Sequence, residues 1–163
     1  MTRADWGAAT DTGLRRGHNE DSYLAGPTLF VVADGMGGHR GGEVASDIAV
    51  TVLQQLSDAP ITRTDDIQAA IATAHERILA AARERPELTG MGTTVAGVAA
   101  VEIGGLPHWA VFNVGDSRVY RRHGDTLTQI TVDHSEVQEL VDAGLLDADG
   151  ARRDSRRNVI TRS

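Results

Sequence analysis

Residues 29–46 constrain the fold of this chain more than any other stretch. They begin with an apolar run over 29–33, whose length and β-branched content are typical of a buried strand. Asp34 and Gly35 follow at once, then further glycines, and an amphipathic segment starts near Gly41. An isolated Asp-Gly is most simply a turn. A carboxylate that ends a core strand beside glycines also faces an uncrowded cleft, where hard divalent cations bind through oxygen ligands.

Composition narrows the classes of function. The chain has 163 residues, of which 40% are hydrophobic and 24% charged, as is ordinary for one globular domain. A net charge of −7 argues against a general nucleic-acid binder. The sequence contains no cysteine, which excludes disulfides and thiolate metal sites and fits a reducing compartment. Because it also lacks an apolar run of roughly 20 residues and a signal peptide, we expect a cytoplasmic protein without membrane or nucleic-acid partners.

Hydrophobic periodicity predicts strands first, then two helices, then further strands. The predicted strands cover residues 5–10, 22–25, 29–33, 92–103, 108–114, 118–122 and 126–131, and residues 158–163 are expected to start a further strand. Apolar residues at helical spacing over 43–56 and 67–81 predict a pair of one-sided helices packed on a sheet. Ser135 is expected to cap a short helix, and 147–157 to form a mobile, arginine-rich surface flap. This segregated order is typical of the α+β class.

Four polar motifs fall at the ends of predicted strands. They comprise Arg16 with Asn19-Glu20-Asp21, then Asp34-Gly35, Gly92-Thr93-Thr94 and Gly115-Asp116-Ser117-Arg118. Each motif alone has a simple alternative, since adjacent acids are usually solvated and an aspartate often starts a β-turn. P-loop, dinucleotide-binding, HExxH and GxSxG motifs are all missing from the sequence.

Taken together, these motifs resemble those of a known family over nearly the whole chain. The segments RxxNEDS, VVADGMGGHRGGEVAS, GTT and NVGDSRVY are similar, in order and spacing, to those of bacterial metal-dependent protein phosphatases of the 2C type (PPM). The resemblance implies one PPM-type domain over residues 1–163, with a four-layer α/β/β/α sandwich of two antiparallel sheets between helix pairs. It implies hydrolysis of phosphoserine and phosphothreonine in proteins, so that substrates of serine/threonine kinases would be its partners.

The resemblance also implies a two-ion metal site. Two Mn²⁺ or Mg²⁺ ions, about 3.5–4 Å apart in such sites, activate a water that attacks phosphorus. Asp34 corresponds to the carboxylate that bridges the ions, and the Gly35 carbonyl to a ligand of one of them. Glu20 resembles a ligand that acts directly or through water, and Asp21 a carboxylate that orients those waters. The Gly-Thr-Thr motif is expected to support the packing of the loop.

Three further residues have counterparts in the family. Arg16 matches the arginine that binds the substrate phosphate with two parallel hydrogen bonds. Asp116 matches a carboxylate that helps to hold a third, weaker metal ion, and Asn158 is a further candidate for that ion. Some members carry a histidine general acid where this chain has Met36, so no protein general acid is assigned.

The C-terminal part departs from the family pattern. The family continues with further strands, a helix pair, and SDG and DN motifs that each supply a metal-binding aspartate; this chain has neither motif. We therefore expect a sandwich that is incomplete at the C-terminus, with uncovered apolar faces, weakened metal binding and little phosphatase activity. The alternative is a catalytically impaired pseudophosphatase that binds phosphoproteins or another partner. The retained Arg16, Glu20, Asp34 and Asp116 count against that alternative.

Overall fold

An antiparallel sheet of five strands is the centre of the fold, and a separate two-stranded sheet lies later in the chain. The structure, a computed structural model, describes residues 4–14, 17–37, 40–58, 61 and 63–163. Its elements are β1 (Asp21–Ala25), β2 (Leu29–Met36), α1 (Gly41–Gln54), α2 (Thr64–Glu84), β3 (Gly92–Thr93), β4 (Val95–Ile103), β5 (Leu106–Val114), β6 (Tyr120–His123), β7 (Thr126–Gln129), α3 (Glu136–Asp142) and α4 (Ala148–Arg153).

The larger sheet has the strand order β1-β2-β4-β5, with the short β3 paired to the end of β2. The remaining two strands, β6 and β7, form an antiparallel hairpin. Segregated helices and antiparallel sheets confirm the predicted α+β class. Within the described ranges, none of the helices combines the length and the apolar content that a membrane span requires.

Both long helices pack on one face of the larger sheet. Along β2 the residues alternate, so that Leu29, Val31 and Ala33 are buried beneath the helices while Phe30 and Val32 lie on the opposite face. The buried members of the main core come from β2, α1, α2, β4 and the residues between the helices. They are Leu29, Val31, Ala49, Val52, Leu53, Ile61, Ile67, Ala70, Ala74, Val95, Ala99 and Val101.

The opposite face of the sheet remains largely open to solvent. Val32 in β2 is 50% exposed and Trp109 in β5 is 46% exposed. The ring centroid of Phe30 lies 6.3 Å from that of Trp109 and 6.4 Å from that of Trp6. This arrangement agrees with the expectation of an uncovered apolar face.

Three of the sequence-based predictions were wrong in part. Residues 5–10 form no strand, since Trp6 is held by its aromatic contact rather than by a ladder of backbone bonds. The flap over 147–157 contains the short helix α4. Asp147 caps this helix, since its carboxylate accepts a 2.6 Å hydrogen bond from the Gly150 amide. The segment 158–163 forms one isolated bridge, between Ile160 and Ser135, in place of a strand.

Two glycines allow α1 to begin in direct contact with the end of β2. A Cβ placed on Gly42 would lie 2.7 Å from the carbonyl carbon of Gly35 and 2.9 Å from the carboxyl carbon of Glu20. A Cβ placed on Gly35 would lie 2.1 Å from the Gly42 carbonyl oxygen. These distances are shorter than any carbon contact allows, so only glycine fits at either position. The approach brings the loop that carries Glu20 against both elements.

We predict that Gly42→Ala destabilises the fold by about 1–3 kcal/mol, because the new methyl group must displace backbone atoms. The usual gain of about 1 kcal/mol for Gly→Ala in a helix is too small to offset this overlap. Urea unfolding followed by circular dichroism measures the change. Gly7→Ala is the matched control, since no described heavy atom lies within 4 Å of its Cβ position. Equal stability of the two variants would contradict the close approach.

A second prediction concerns the core. Leu53 is fully buried between the helices and the sheet, so Leu53→Ala removes methyl groups and leaves a cavity. The free energy of unfolding should fall by about 2–5 kcal/mol. Leu106→Ala is the control, because Leu106 is 63% exposed and its truncation should change stability by less than about 0.5 kcal/mol.

Candidate metal centre

Asp21 and Asp34 stand opposite each other at one end of the larger sheet. They are direct cross-strand partners in the β1–β2 ladder. Because Ala33 is buried beneath the helices, both neighbouring carboxylates project from the open face of the sheet. Cβ atoms of such partners lie about 4.5–5.5 Å apart, and like charges in this arrangement repel each other. A cation between the two carboxylates would remove that repulsion.

The backbone of Asp34 is fixed by two threonines. Its amide donates a 3.1 Å hydrogen bond to the Thr94 hydroxyl. Its carbonyl accepts a 2.9 Å bond from the Thr94 amide and a 3.1 Å bond from the Thr93 hydroxyl. Both threonine side chains are buried. The Gly-Thr-Thr motif therefore holds the end of β2, which is the packing role expected of it.

Glu20 is fixed by contacts with β2 and α1. Its carbonyl accepts a 3.1 Å hydrogen bond from the Gly35 amide and a 2.7 Å bond from the Ser46 hydroxyl. Ser46 is fully buried in α1 and also lies 3.0 Å from the Ser22 hydroxyl. Sequence reasoning did not assign Ser46 a role, although a serine within the apolar stripe of a helix is a recognisable signal of such a contact.

Asp116 lies in the turn that follows β5, and this turn contacts the end of β2 through Thr94. The Thr94 hydroxyl lies 2.6 Å from that of Ser117. Gly115 has φ +94°, and a Cβ there would lie 2.7 Å from the Thr94 methyl group. The turn therefore needs glycine both for its conformation and for its close contact. One buried side chain thus joins the strand end that carries Asp34 to the turn that carries Asp116.

Arg118, the last residue of this motif, is already engaged by a carboxylate of its own chain. It donates two hydrogen bonds of 2.9 and 3.0 Å from Nε to Asp133, and a further one from Nη2. Hydrogen bonding to Asp133 raises the pKa of Arg118 above its ordinary value. Its guanidinium is therefore occupied by Asp133 and is not a free phosphate-binding group.

Two other predicted site residues remain untested by these contacts. Arg16 lies outside the described residues, so its position relative to the carboxylates stays a prediction. Asn158 is exposed and follows a turn in which hydrogen bonds from Arg156 lower the pKa of Asp154 to about 2. Its assignment to a third ion also stays a prediction.

The candidate ligands are all oxygen donors, which suits hard dications such as Mn²⁺ and Mg²⁺. In the part of the chain that the structure describes, however, no group of three or more acidic, histidine or cysteine side chains is close enough to hold a metal ion. The donor chemistry therefore fits the implied ions. The described residues alone provide fewer converging carboxylates than a closed site needs.

Two curated relatives are similar to nearly the whole chain. The serine/threonine protein phosphatase PstP of Mycobacterium tuberculosis is 39% identical over 164 residues, which cover 97% of this chain and 30% of that protein. The serine/threonine phosphatase stp of Listeria welshimeri is 36% identical, covering 94% of this chain and 64% of that protein. This chain thus spans only part of the length of either relative.

Solved structures of serine/threonine phosphatases are also similar to this chain. The crystal structure of the M. tuberculosis serine/threonine phosphatase PstP/Ppp matches with a TM-score of 0.84 and 38% identity, over 93% of this chain and 64% of that one. The catalytic domain of PstP in complex with two manganese ions matches with a TM-score of 0.79 and 37% identity, over 93% and 63% of the two chains. The fold is therefore shared with these phosphatases over the matched region.

The sequence profile of one family, described as Protein phosphatase 2C, matches residues 15–156. That range contains all four polar motifs and most of the chain. Sequence and fold therefore agree, and this chain belongs to the protein phosphatase 2C family.

Proposed function

We propose that residues 1–163 are the N-terminal two-thirds of a PPM-type domain, and that the completed domain hydrolyses phosphoserine and phosphothreonine in proteins in a metal-dependent reaction. The observation that carries the proposal is the opposed pair Asp21 and Asp34 on the open face of the sheet. Glu20 and the turn of Asp116 are fixed to the same strand end by hydrogen bonds. The similarity to bacterial serine/threonine phosphatases supports this assignment.

The carboxylates and the Gly35 carbonyl are the proposed ligands of two Mn²⁺ or Mg²⁺ ions. When bound, two such ions supply a nucleophile from water at neutral pH and neutralise charge on the phosphoryl group. Asp34 would bridge the ions, Glu20 would bind one of them directly or through water, and Asp21 would orient the coordinated waters. Asp116 would serve a third ion, with Asn158 as a further ligand. The threonine bonds to the Asp34 backbone keep that carboxylate in position before any ion binds.

Arg16 is the proposed phosphate-binding residue. Its guanidinium would donate two parallel hydrogen bonds to phosphoryl oxygens, as planar recognition of a phosphate requires. Asn19, three residues later, is held by two hydrogen bonds of its side chain. The side-chain amide donates a 2.7 Å bond to the Thr10 hydroxyl, and the side-chain oxygen accepts a 3.0 Å bond from the Asp21 backbone amide. The substrates would be phosphoproteins made by serine/threonine kinases in the cytoplasm.

A pseudophosphatase that binds phosphoproteins without turnover is the second candidate. The observation that favours it is the lack of any group of three converging metal-ligating side chains among the described residues. The family's SDG and DN motifs are also missing from this sequence. Metal binding separates the two candidates, because an enzyme of this type needs its ions and a docking module does not.

We predict that the chain binds Mn²⁺ and that Asp34→Asn weakens this binding at least about tenfold, since the amide carries no charge to offset that of the ion. Isothermal titration calorimetry measures the affinity. Asp65→Asn is the control, because Asp65 lies exposed in the first turn of α2 and pairs with Arg63. Equal Mn²⁺ affinity of the Asp34 variant and the control, or no binding to the wild-type chain, would contradict the proposed site.

Phosphatase activity is the second test. With Mn²⁺ and a phosphothreonine peptide, the 163-residue chain should turn over little faster than its Asp34→Asn variant. A fusion that adds the remaining part of the M. tuberculosis PstP catalytic domain after Ser163 should restore turnover by at least about a hundredfold, because it completes the ligand set. Asp34→Asn in the fusion should abolish that gain. An inactive fusion that still binds phosphoprotein would favour the pseudophosphatase.

A further inference from the structure

A buried carboxylate lies directly behind the turn that carries Asp116. Asp133 is 8% exposed and follows the β6–β7 hairpin in the chain. Its two oxygens accept hydrogen bonds from Arg118, and Oδ1 accepts a further 3.1 Å bond from the Gln129 side chain. A buried carboxylate is stable only when it is paired in this way. The pair therefore fixes Arg118, two residues beyond Asp116, to the segment after the hairpin.

The next residue, His134, holds the other end of the same turn. Its ring Nδ1 accepts a 3.2 Å hydrogen bond from the Gly115 amide, which assigns the ring proton to Nε2. Its own amide donates a 2.9 Å bond to the Gly115 carbonyl. The Asn113 side chain donates a 3.3 Å bond to that carbonyl and a 3.0 Å bond to Val132. Both polar groups of Gly115 are therefore satisfied by the segment that contains Asp133 and His134.

The turn is thus held from two sides. Thr94 contacts Gly115 and Ser117 from the side of β2. Asp133 and His134 hold the turn from the side of the hairpin, one on each flank of Asp116. The Asp116 side chain is left half-buried between these fixed points.

We propose that Asp133 and His134 are positioning residues for the metal centre: they fix the conformation of the 115–118 turn and thereby present Asp116 to the metal ions. The fixing of the turn is a property of the chain without metal. The second step, from a fixed turn to metal affinity, rests on the proposed function. Neither residue needs to touch an ion or the substrate.

Hydrogen exchange of the metal-free protein tests the first step. His134→Ala removes the acceptor of the Gly115 amide, whereas His134→Asn keeps an acceptor oxygen near the position of Nδ1. We expect the exchange protection of the Gly115 amide, measured by nuclear magnetic resonance, to fall at least about tenfold in the alanine variant and to return in the asparagine variant. Unchanged protection in His134→Ala would overturn the proposal. Asp65→Asn is again the control.

A double-mutant cycle on Mn²⁺ affinity tests the second step. Asp133→Asn keeps the shape of the side chain but removes the charge paired with Arg118, and should weaken Mn²⁺ binding by about tenfold or more. If Asp133 acts through Asp116, then Asp133→Asn should have no further effect in a chain that already carries Asp116→Asn. A merely structural contribution would weaken binding equally in both backgrounds, and that result would overturn the proposal.

The two measurements separate this proposal from the proposed function. A wild-type chain that binds no Mn²⁺ would contradict the metal site, and the exchange experiment would then decide the fixing of the turn by itself. Mn²⁺ binding that persists unchanged in Asp133→Asn and His134→Ala would contradict the positioning role while leaving the metal site intact. Melting temperatures of all variants in metal-free buffer identify any variant that fails to fold, in which case His134→Asn and its exchange protection carry the test.

Discussion

The hydroxyl of Thr94 is the contact on which the geometry of the candidate site depends. It accepts a 3.1 Å hydrogen bond from the Asp34 amide and lies 2.6 Å from the Ser117 hydroxyl. Thr94 itself is only 1% exposed. One hydroxyl can make both bonds because it has two acceptor lone pairs and one proton. Loss of this hydroxyl would remove the hydrogen bond that the Asp34 amide donates to it, at a cost of about 0.5–1.5 kcal/mol. The end of β2 and the 115–118 turn are therefore fixed relative to each other.

The two faces of the larger sheet differ in packing: the helices cover one, and the other is open to solvent. The covered face is closely packed, since Gly35 and Gly42 allow the backbone of α1 to touch that of β2 and Glu20. The open face carries the opposed carboxylates of Asp21 and Asp34 at one end and exposed aromatic side chains further along. Like charges placed opposite each other in this way repel, and the proposed metal ions would offset that repulsion.

Much of the fold could be predicted from local patterns. The two helices were expected from apolar residues at helical spacing, and α1 and α2 contain those stripes. The expected strand over residues 5–10 does not form, because a strand needs a partner and Trp6 is held by Phe30 instead. Helix α4 was also missed, because its six residues show no apolar periodicity and its beginning depends on the Asp147 cap.

The sequence by itself determined the family and which residues are proposed to bear the chemistry, because the acidic motifs, their glycines and their order along the chain are local features that resemble those of one family. Only the tertiary structure decided which of them meet. The pairing of Asp21 with Asp34 is set by the register of a ladder, and the contact of Thr94 with Ser117 joins residues 23 positions apart. The roles of Asp133 and His134 depend on a hairpin that folds back onto the 115–118 turn. Hydrogen bonds between distant segments leave no periodic signal in a sequence, because they form only once packing has brought those segments together.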